Sequence, residues 1–199
     1  MEEVLNFIIN KINVAVVIVS WVIFSIGFLT LKRKVTHKAK DQDRRAIIGF
    51  LLEVIGYALV FGIRREIFSD IIQLSLFFAV LFAFVNAGLA CLSLWMTLAA
   101  VKTLGKQWDM RARIIEGHEL IVSGPYRIVR HPIYSGMFGL LIITGFSISQ
   151  WWALLIAIVL YFIGTIFRTT VEEGLLIEHF GEKYVEYKKA VPAIIPFIY

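Results

Sequence analysis

The chain of 199 residues has one cysteine, four prolines and several long stretches with no charge at all. Each scarcity excludes something. Cys91 stands alone inside an apolar run, so no disulfide framework and no thiolate metal cluster can be built. His118, His131 and His179 do not stand at H-x-x-x-H spacing and no HExxH occurs, which leaves a metal centre without ligands. GxGxxG, a phosphate-binding Walker sequence and GxSxG are also missing, so soluble dinucleotide, phosphate-loop and serine-hydrolase chemistry lack a handle. Charge is scarce as well: 18% of residues are charged against 59% apolar, more greasy surface than a small water-soluble core can hide. The bilayer must supply the remaining burial. The net basic charge sits between apolar runs, where it suits lipid headgroups and topology rather than nucleic acid.

What is present is a series of apolar runs. Ile12 to Leu31 holds no ionisable residue and has the length of a membrane-spanning helix. Two glutamates precede it and "LKRKVTHKAKDQDRR" follows, a pattern that predicts a permanent anchor rather than a cleaved leader. Ala46 to Ile63 is a shorter span carrying Glu53, and Ile71 to Val101 is uncharged for 31 residues, long enough to tilt or protrude. Pro132 to Phe167 again lacks Asp, Glu, Lys, Arg and His but exceeds one crossing and is interrupted by "GFSISQWW", which predicts two helices in a tight hairpin with Pro132 in the first turn. Residues 32–45, 102–130 and 168–199 carry seventeen Lys and Arg, the intervening segments three. By that asymmetry the N-terminus lies outside and the three basic segments are cytoplasmic. The expected fold is all-α: a polytopic membrane protein of about five transmembrane helices, with a cytoplasmic loop and a C-terminal helix forming the site. With no repeat or linker, 1–199 is expected to be one domain, with three spans in 1–101 and the loop, hairpin and interfacial helix in 102–199.

Polar residues concentrate at the two ends of that hairpin. "GHELIVSGPYRIVRHPIYSG" enters it and "FRTTVEEGLLIEHFGEKYVEYKK" leaves it, so the two should meet at the cytoplasmic surface. Arg168 and Glu172 are spaced i, i+4 on one helix face, with Glu173 turned around the axis. Snorkelling arginines, interfacial tyrosines and i, i+4 ion pairs are each ordinary; their joint occurrence here singles the region out. Gly136 and Gly139 suit either helix packing or close approach to a ligand. Glu53, with Tyr57 one turn on, is an acid inside a span and therefore a functional candidate, or a group hydrogen-bonded to a neighbouring helix. Asn86 and Gln73 are expected to bond between helices, and His37 to be solvated.

"LGKQWDMRARIIEGHELIVSGPYRIVRHPIYSG" followed by "FRTTVEEGLLIEHFGEKYVEYKKAVPAIIPFI" closely resembles the isoprenylcysteine carboxyl methyltransferase family of membrane enzymes, over roughly Leu104 to Phe197. RHP-x-Y and R-x-x-x-E-E with FG-x-x-Y-x-x-Y are specific in combination. The resemblance implies S-adenosylmethionine as methyl donor, S-adenosylhomocysteine as product, and a prenylated cysteine or similar lipidic acid as acceptor entering from the bilayer. By position it makes His118, Glu119, Leu120 and Ile121 a cofactor-lining stretch, Tyr126 a cofactor tyrosine, and His131, Pro132, Ile133 and Tyr134 a cofactor contact. It makes Glu172 a cofactor-contacting acid and Arg168 the substrate's arginine, the pair expected to carry catalysis; Arg111 departs from a glutamine found in some members. Two other readings stay open: a phospholipid amine or small thiol as acceptor, the amine being favoured by a free Glu173 or Glu53, and a nicotinamide-dependent membrane reductase.

Overall fold

The computed structural model describes residues 1–31, 39–66 and 75–196. Among the described residues six α-helices follow in chain order: α1 (Glu2–Leu31), α2 (Ala46–Gly62), α3 (Leu76–Leu104), α4 (Pro132–Ile148), α5 (Trp151–Phe180) and α6 (Glu182–Ala190). A short antiparallel ribbon joins β1 (Ala39–Asp43) to β2 (Ala112–Ile115). The protein is an all-α membrane protein. Helices α1, α3 and α5 are each long and apolar enough to cross a bilayer, whereas α2 and α4 are apolar but only 17 residues long, about 25 Å at the helical rise. Helix α3 has 29 residues, about 43 Å, longer than the hydrocarbon core of ~30 Å.

The helices turn greasy side chains outward. Ile18, Val22, Ile26 and Leu29 of α1, Leu51 and Ile55 of α2, Phe84 of α3, and Leu155, Val159 and Ile163 of α5 are all exposed, while Asn13, Ser20, Asn86, Ser93 and Thr97 are buried. That inversion of the soluble pattern is stable only where lipid is the solvent, because inward polar groups then pair between helices. Asn86 donates to Asn13 Oδ1 at 3.1 Å and to Ser147 Oγ at 3.4 Å, and Trp21 Nε1 donates to Thr144 Oγ1 at 3.0 Å. The expected interhelical role of Asn86 is thus met; Gln73 and His37 lie outside the described residues.

Glycines set two of the helix crossings. A Cβ on Gly136 would stand 2.1 Å from Thr97 Oγ1, and one on Gly139 2.0 Å from Ser93 Oγ, so both serve α3–α4 packing rather than a ligand. Between α2 and α5 the approach is reciprocal: a Cβ on Gly49 would meet the Gly164 carbonyl at 2.4 Å, and one on Gly164 the Gly49 carbonyl at 2.6 Å. The α4–α5 hairpin breaks at Ser149–Gln150, inside the interrupting motif. There Arg65 donates to the carbonyls of Phe146, Ser147 and Ser149 at 2.7, 3.0 and 3.1 Å, satisfying the C-terminal carbonyls of α4 that no helix turn can reach. At the opposite end of the bundle, Phe28 of α1 meets Trp108 beyond α3, and Tyr134 of α4 meets Glu172 of α5. At that end the described part of the first basic segment, β1, pairs with β2 of the second, and both pack on α5.

Candidate active site

The entry loop is held by local chemistry before any helix contributes. Gly117 takes φ +70° in the turn after β2, a left-handed conformation that a side chain resists. The Glu119 amide donates to Gln107 Oε1 at 2.6 Å, which ties the turn to the end of α3. Gly124 and Pro125 then open a 3-10 turn, Gly124–Arg127, and Pro132 stands in the first turn of α4, where its missing N–H costs nothing. These constraints fold residues 118–134 over the end of α5.

Beneath them is a cavity of about 350 Å³. All eleven residues singled out from the sequence line it: His118, Glu119, Leu120, Ile121, Tyr126, His131, Pro132, Ile133, Tyr134, Arg168 and Glu172. Arg111 lines it too, from an exposed position. Arg168 is fixed in its wall by several partners. Its Nη1 donates to Glu53 Oε2 at 3.3 Å, its Nη2 to the Met110 carbonyl at 2.8 Å, and Glu172 Oε1 lies 3.6 Å from Nη2. The rings of Tyr134 and Phe50 lie 5.1 and 5.4 Å from the guanidinium carbon. A planar cation held by this many fixed partners has lost most of its rotamer freedom before any ligand arrives.

Glu53 is the residue whose partner the sequence did not reveal. It is buried, accepts from Thr165 Oγ1 at 3.0 Å and from Arg168, and reaches them because Gly49 and Gly164 let α2 and α5 touch. Glu172 accepts from the Tyr134 hydroxyl. The adjacent Glu173 faces elsewhere. Arg130 Nε donates to it at 2.9 Å, Lys188 Nζ at 2.6 Å and His131 Nε2 at 3.1 Å. Neither Glu53 nor Glu173 is therefore free. Arg130 also donates to the carbonyls of Lys188 and Val191, and the Arg130 and His131 amides donate to the Pro192 and Ala193 carbonyls at 2.8 and 2.9 Å. The RHP motif thus clamps the C-terminal segment as well as lining the cavity.

Three buried donors or acceptors have no hydrogen-bond partner among the described residues while lining this cavity: Arg113 Nε, His118 Nδ1 and Arg168 Nε. Buried polar atoms rarely remain unsatisfied, so this concentration in one cavity points to a polar ligand. Burial, aided by the nearby His179, lowers the His118 pKa from 6.5 to about 4 and keeps the ring neutral at neutral pH. Burial raises the Tyr126 hydroxyl well above its ordinary value, so it remains a phenol. The site therefore offers fixed acids for a cation, an arginine for an anion, and neutral rings around both.

The decisive comparison is with known families. Residues 84–178 match the isoprenylcysteine carboxyl methyltransferase family. The match spans 95 residues, just under half of the chain, and over it this protein is similar to that family. The match starts within α3, ahead of the Leu104 at which the resemblance becomes readable by eye. The protein-S-isoprenylcysteine O-methyltransferase of Schizosaccharomyces pombe is 33% identical over 118 residues, covering 56% of this chain and 48% of that protein. Protein-S-isoprenylcysteine O-methyltransferase B of Arabidopsis thaliana is 34% identical over 122 residues, 57% of this chain and 59% of that protein. The human protein-S-isoprenylcysteine O-methyltransferase is 42% identical over 107 residues, 50% and 36% of the two chains. The chain spans about half the length of the first two relatives. The segment matched by the family, residues 84–178, contains the entry loop and most of α5, which carries Arg168 and Glu172.

Proposed function

We propose that the protein transfers the methyl group of S-adenosylmethionine to the carboxylate of a prenylated cysteine or a similar lipidic acid. The observation that carries this reading is Arg168: a buried, clamped guanidinium with an unpartnered Nε, in a cavity whose polar end meets loops and whose other end is apolar. The cavity's donor set also fits the cofactor: Glu172 for positive charge, His118 Nδ1 and Arg113 Nε for polar groups, and Tyr126 and Tyr134 as ring surface. Bound there, S-adenosylmethionine supplies an electrophilic methyl on a sulfonium sulfur.

The residues then have little proton chemistry to perform. A carboxylate is ionised at neutral pH, so it needs no general base. Arg168 would grip it through its fork and fix one oxygen for in-line attack. Glu172 balances positive charge beside it, and the covering loop keeps out water that would shield both. An amine acceptor would instead need a base near the methyl group, and the candidates Glu53 and Glu173 are held by other side chains. The same reading places the N-terminus outside and the site and C-terminus in the cytoplasm, following the basic segments, and treats spans 1–101 and the loop, hairpin and tail of 102–199 as one catalytic unit. Purified protein with methyl-labelled S-adenosylmethionine and S-farnesyl-N-acetylcysteine should yield label released by mild base, as a methyl ester is. Base-stable label, or none, overturns the assignment.

A further inference from the structure

The cavity has a second end. Beyond Arg168 it runs along the bundle past Phe24 and Phe28 of α1, Val54 and Tyr57 of α2, Met137 of α4 and Tyr161 of α5. Tyr161 precedes Arg168 by seven residues of α5, which puts this end about 10 Å deeper. The walls here are apolar or aromatic. They also leave an open side: α1 packs on α3 and α4, α2 packs on α5 and α4, and α1 and α2 make little direct contact. Where the two do meet, they meet through rings. Trp21 of α1 stands edge-on to Tyr57 at 5.5 Å and to Phe61 at 5.6 Å between centroids.

Tyr57 lines the cavity at that depth and is braced by neighbours on α1, α4 and α5. Its hydroxyl donates to the Met137 carbonyl at 2.5 Å, tying α2 to α4, and its ring lies 6.2 Å from that of Tyr161, edge-on. Trp21, which backs it, does not line the cavity and is itself fixed by its bond to Thr144. A methionine or leucine here would yield to an intruding chain; a tyrosine anchored at its far end does not. We propose that Tyr57 is the stop that sets the length of apolar tail this protein accepts, the tail entering between α1 and α2 and ending against the ring. The inference rests on the reading above, in which Arg168 holds the carboxylate. With the head fixed at Arg168 and the floor fixed at Tyr57, the distance between them measures the chain. A shorter tail leaves its end wall without contacts, and a longer one must fold back or protrude into lipid.

The test uses the whole protein and S-geranyl, S-farnesyl and S-geranylgeranyl N-acetylcysteine. Tyr57→Ala should raise the ratio of kcat/KM for the geranylgeranyl over the farnesyl acceptor by roughly 10-fold or more, the scale on which apolar pockets discriminate neighbouring chain lengths. Tyr57→Phe keeps the ring and should leave the ratio within about 3-fold of the parent. Val54→Phe, which adds bulk one turn nearer Arg168 without opening the floor, should shift preference toward geranyl and remains informative if Tyr57→Ala fails to fold. Thermal stabilisation by the same three compounds, without cofactor, should follow the same order. An unchanged ratio in folded Tyr57→Ala together with unchanged preference in Val54→Phe overturns the proposal. If no acceptor is methylated but the three compounds still stabilise the protein in a Tyr57-dependent order, the methyl transfer is wrong and the length stop stands. A parent that neither methylates nor binds any of them overturns both.

Discussion

Glu172 and Glu173 are neighbours in sequence, yet they belong to opposite kinds of structure. Glu172 faces the cavity with the Tyr134 hydroxyl on one oxygen and Arg168 and His131 at the longer distances of 3.6 and 3.7 Å. Glu173 is buried behind it and takes three close partners from Arg130, His131 and Lys188. One carboxylate keeps room for a ligand's charge; the other joins the entry loop, α5 and the C-terminal helix into one piece. A helix turns about 100° per residue, so two adjacent acids can serve both purposes. On the reading proposed above, the paired acids of R-x-x-x-E-E divide binding from scaffolding.

The largest expected effect comes from the cation on the ligand side. Arg168→Ala should lower kcat/KM for the acceptor by on the order of 10²-fold or more, as loss of a positioning group does, and Arg168→Lys should recover only part because the fork is missing. Steady-state kinetics with each substrate varied separately will read this. Near-normal turnover in a folded Arg168→Ala would remove the carboxylate clamp and return the amine and thiol acceptors to contention.

The two acids can then be broken one at a time. Glu173→Gln leaves the buried Arg130 guanidinium, and the half-exposed Lys188, without their carboxylate, and loss of the buried partner should cost about 3 kcal/mol of stability. Its thermal unfolding in detergent should shift clearly. Glu172→Gln should leave unfolding nearly unchanged and weaken S-adenosylmethionine binding measured by calorimetry. If the two variants exchange these phenotypes, the division of labour is reversed.

Much of this arrangement was readable beforehand, and the unread part has a physical reason. The apolar runs located α1 to α5, and "GFSISQWW" contained the hairpin break. The spacing of Arg168 and Glu172 placed both on one face, where they line the same cavity. Local pattern carries such facts because helix periodicity is local. It does not carry pairing across the bundle. Glu53 and Arg168 are 115 positions apart, and only the crossing of Gly49 with Gly164 joins them. The ribbon of β1 and β2 was also unread, since "AKDQD" has no strand pattern of its own and becomes one by pairing with "ARII". Nothing local in the sequence marks Arg65 as the cap of α4, since the carbonyls it reaches lie more than 80 positions away.

Glu53 tests how much of the ligand side depends on that long-range pair. Glu53→Gln keeps the shape and can still bond Thr165, but removes the charge that holds Arg168 Nη1. The guanidinium then has Glu172, 3.6 Å away, as its remaining carboxylate and should swing toward it. The expected result is a fall of roughly 10-fold in kcat/KM for the acceptor with little change in cofactor affinity, because only the acceptor's clamp is misaligned. Glu53→Asp, which restores charge at shorter reach, should recover part of the loss. Equal damage to both ligands would show that Glu53 merely supports the fold.

The smallest effect sharpens the comparison from outside α5. His118 is neutral in the folded protein because burial lowers its pKa from 6.5 to about 4, whereas the unfolded chain titrates near the ordinary value. Between those two pH values the unfolded state takes up a proton that the folded state refuses. Stability from this group is therefore complete above pH 6.5 and declines as pH falls toward about 4. His118→Asn, which keeps a polar side chain and cannot titrate, should flatten that part of the stability–pH curve without shifting the curve at pH 7.5 by more than about 1 kcal/mol, since the ring is only partly buried. The Glu173 cluster is unaltered by this substitution, so thermal unfolding at pH 4.5 and 7.5 separates the loop's contribution from the scaffold's. An identical slope in both proteins would mean that His118 is solvated in solution and does not stand in the cavity as a neutral ligand group.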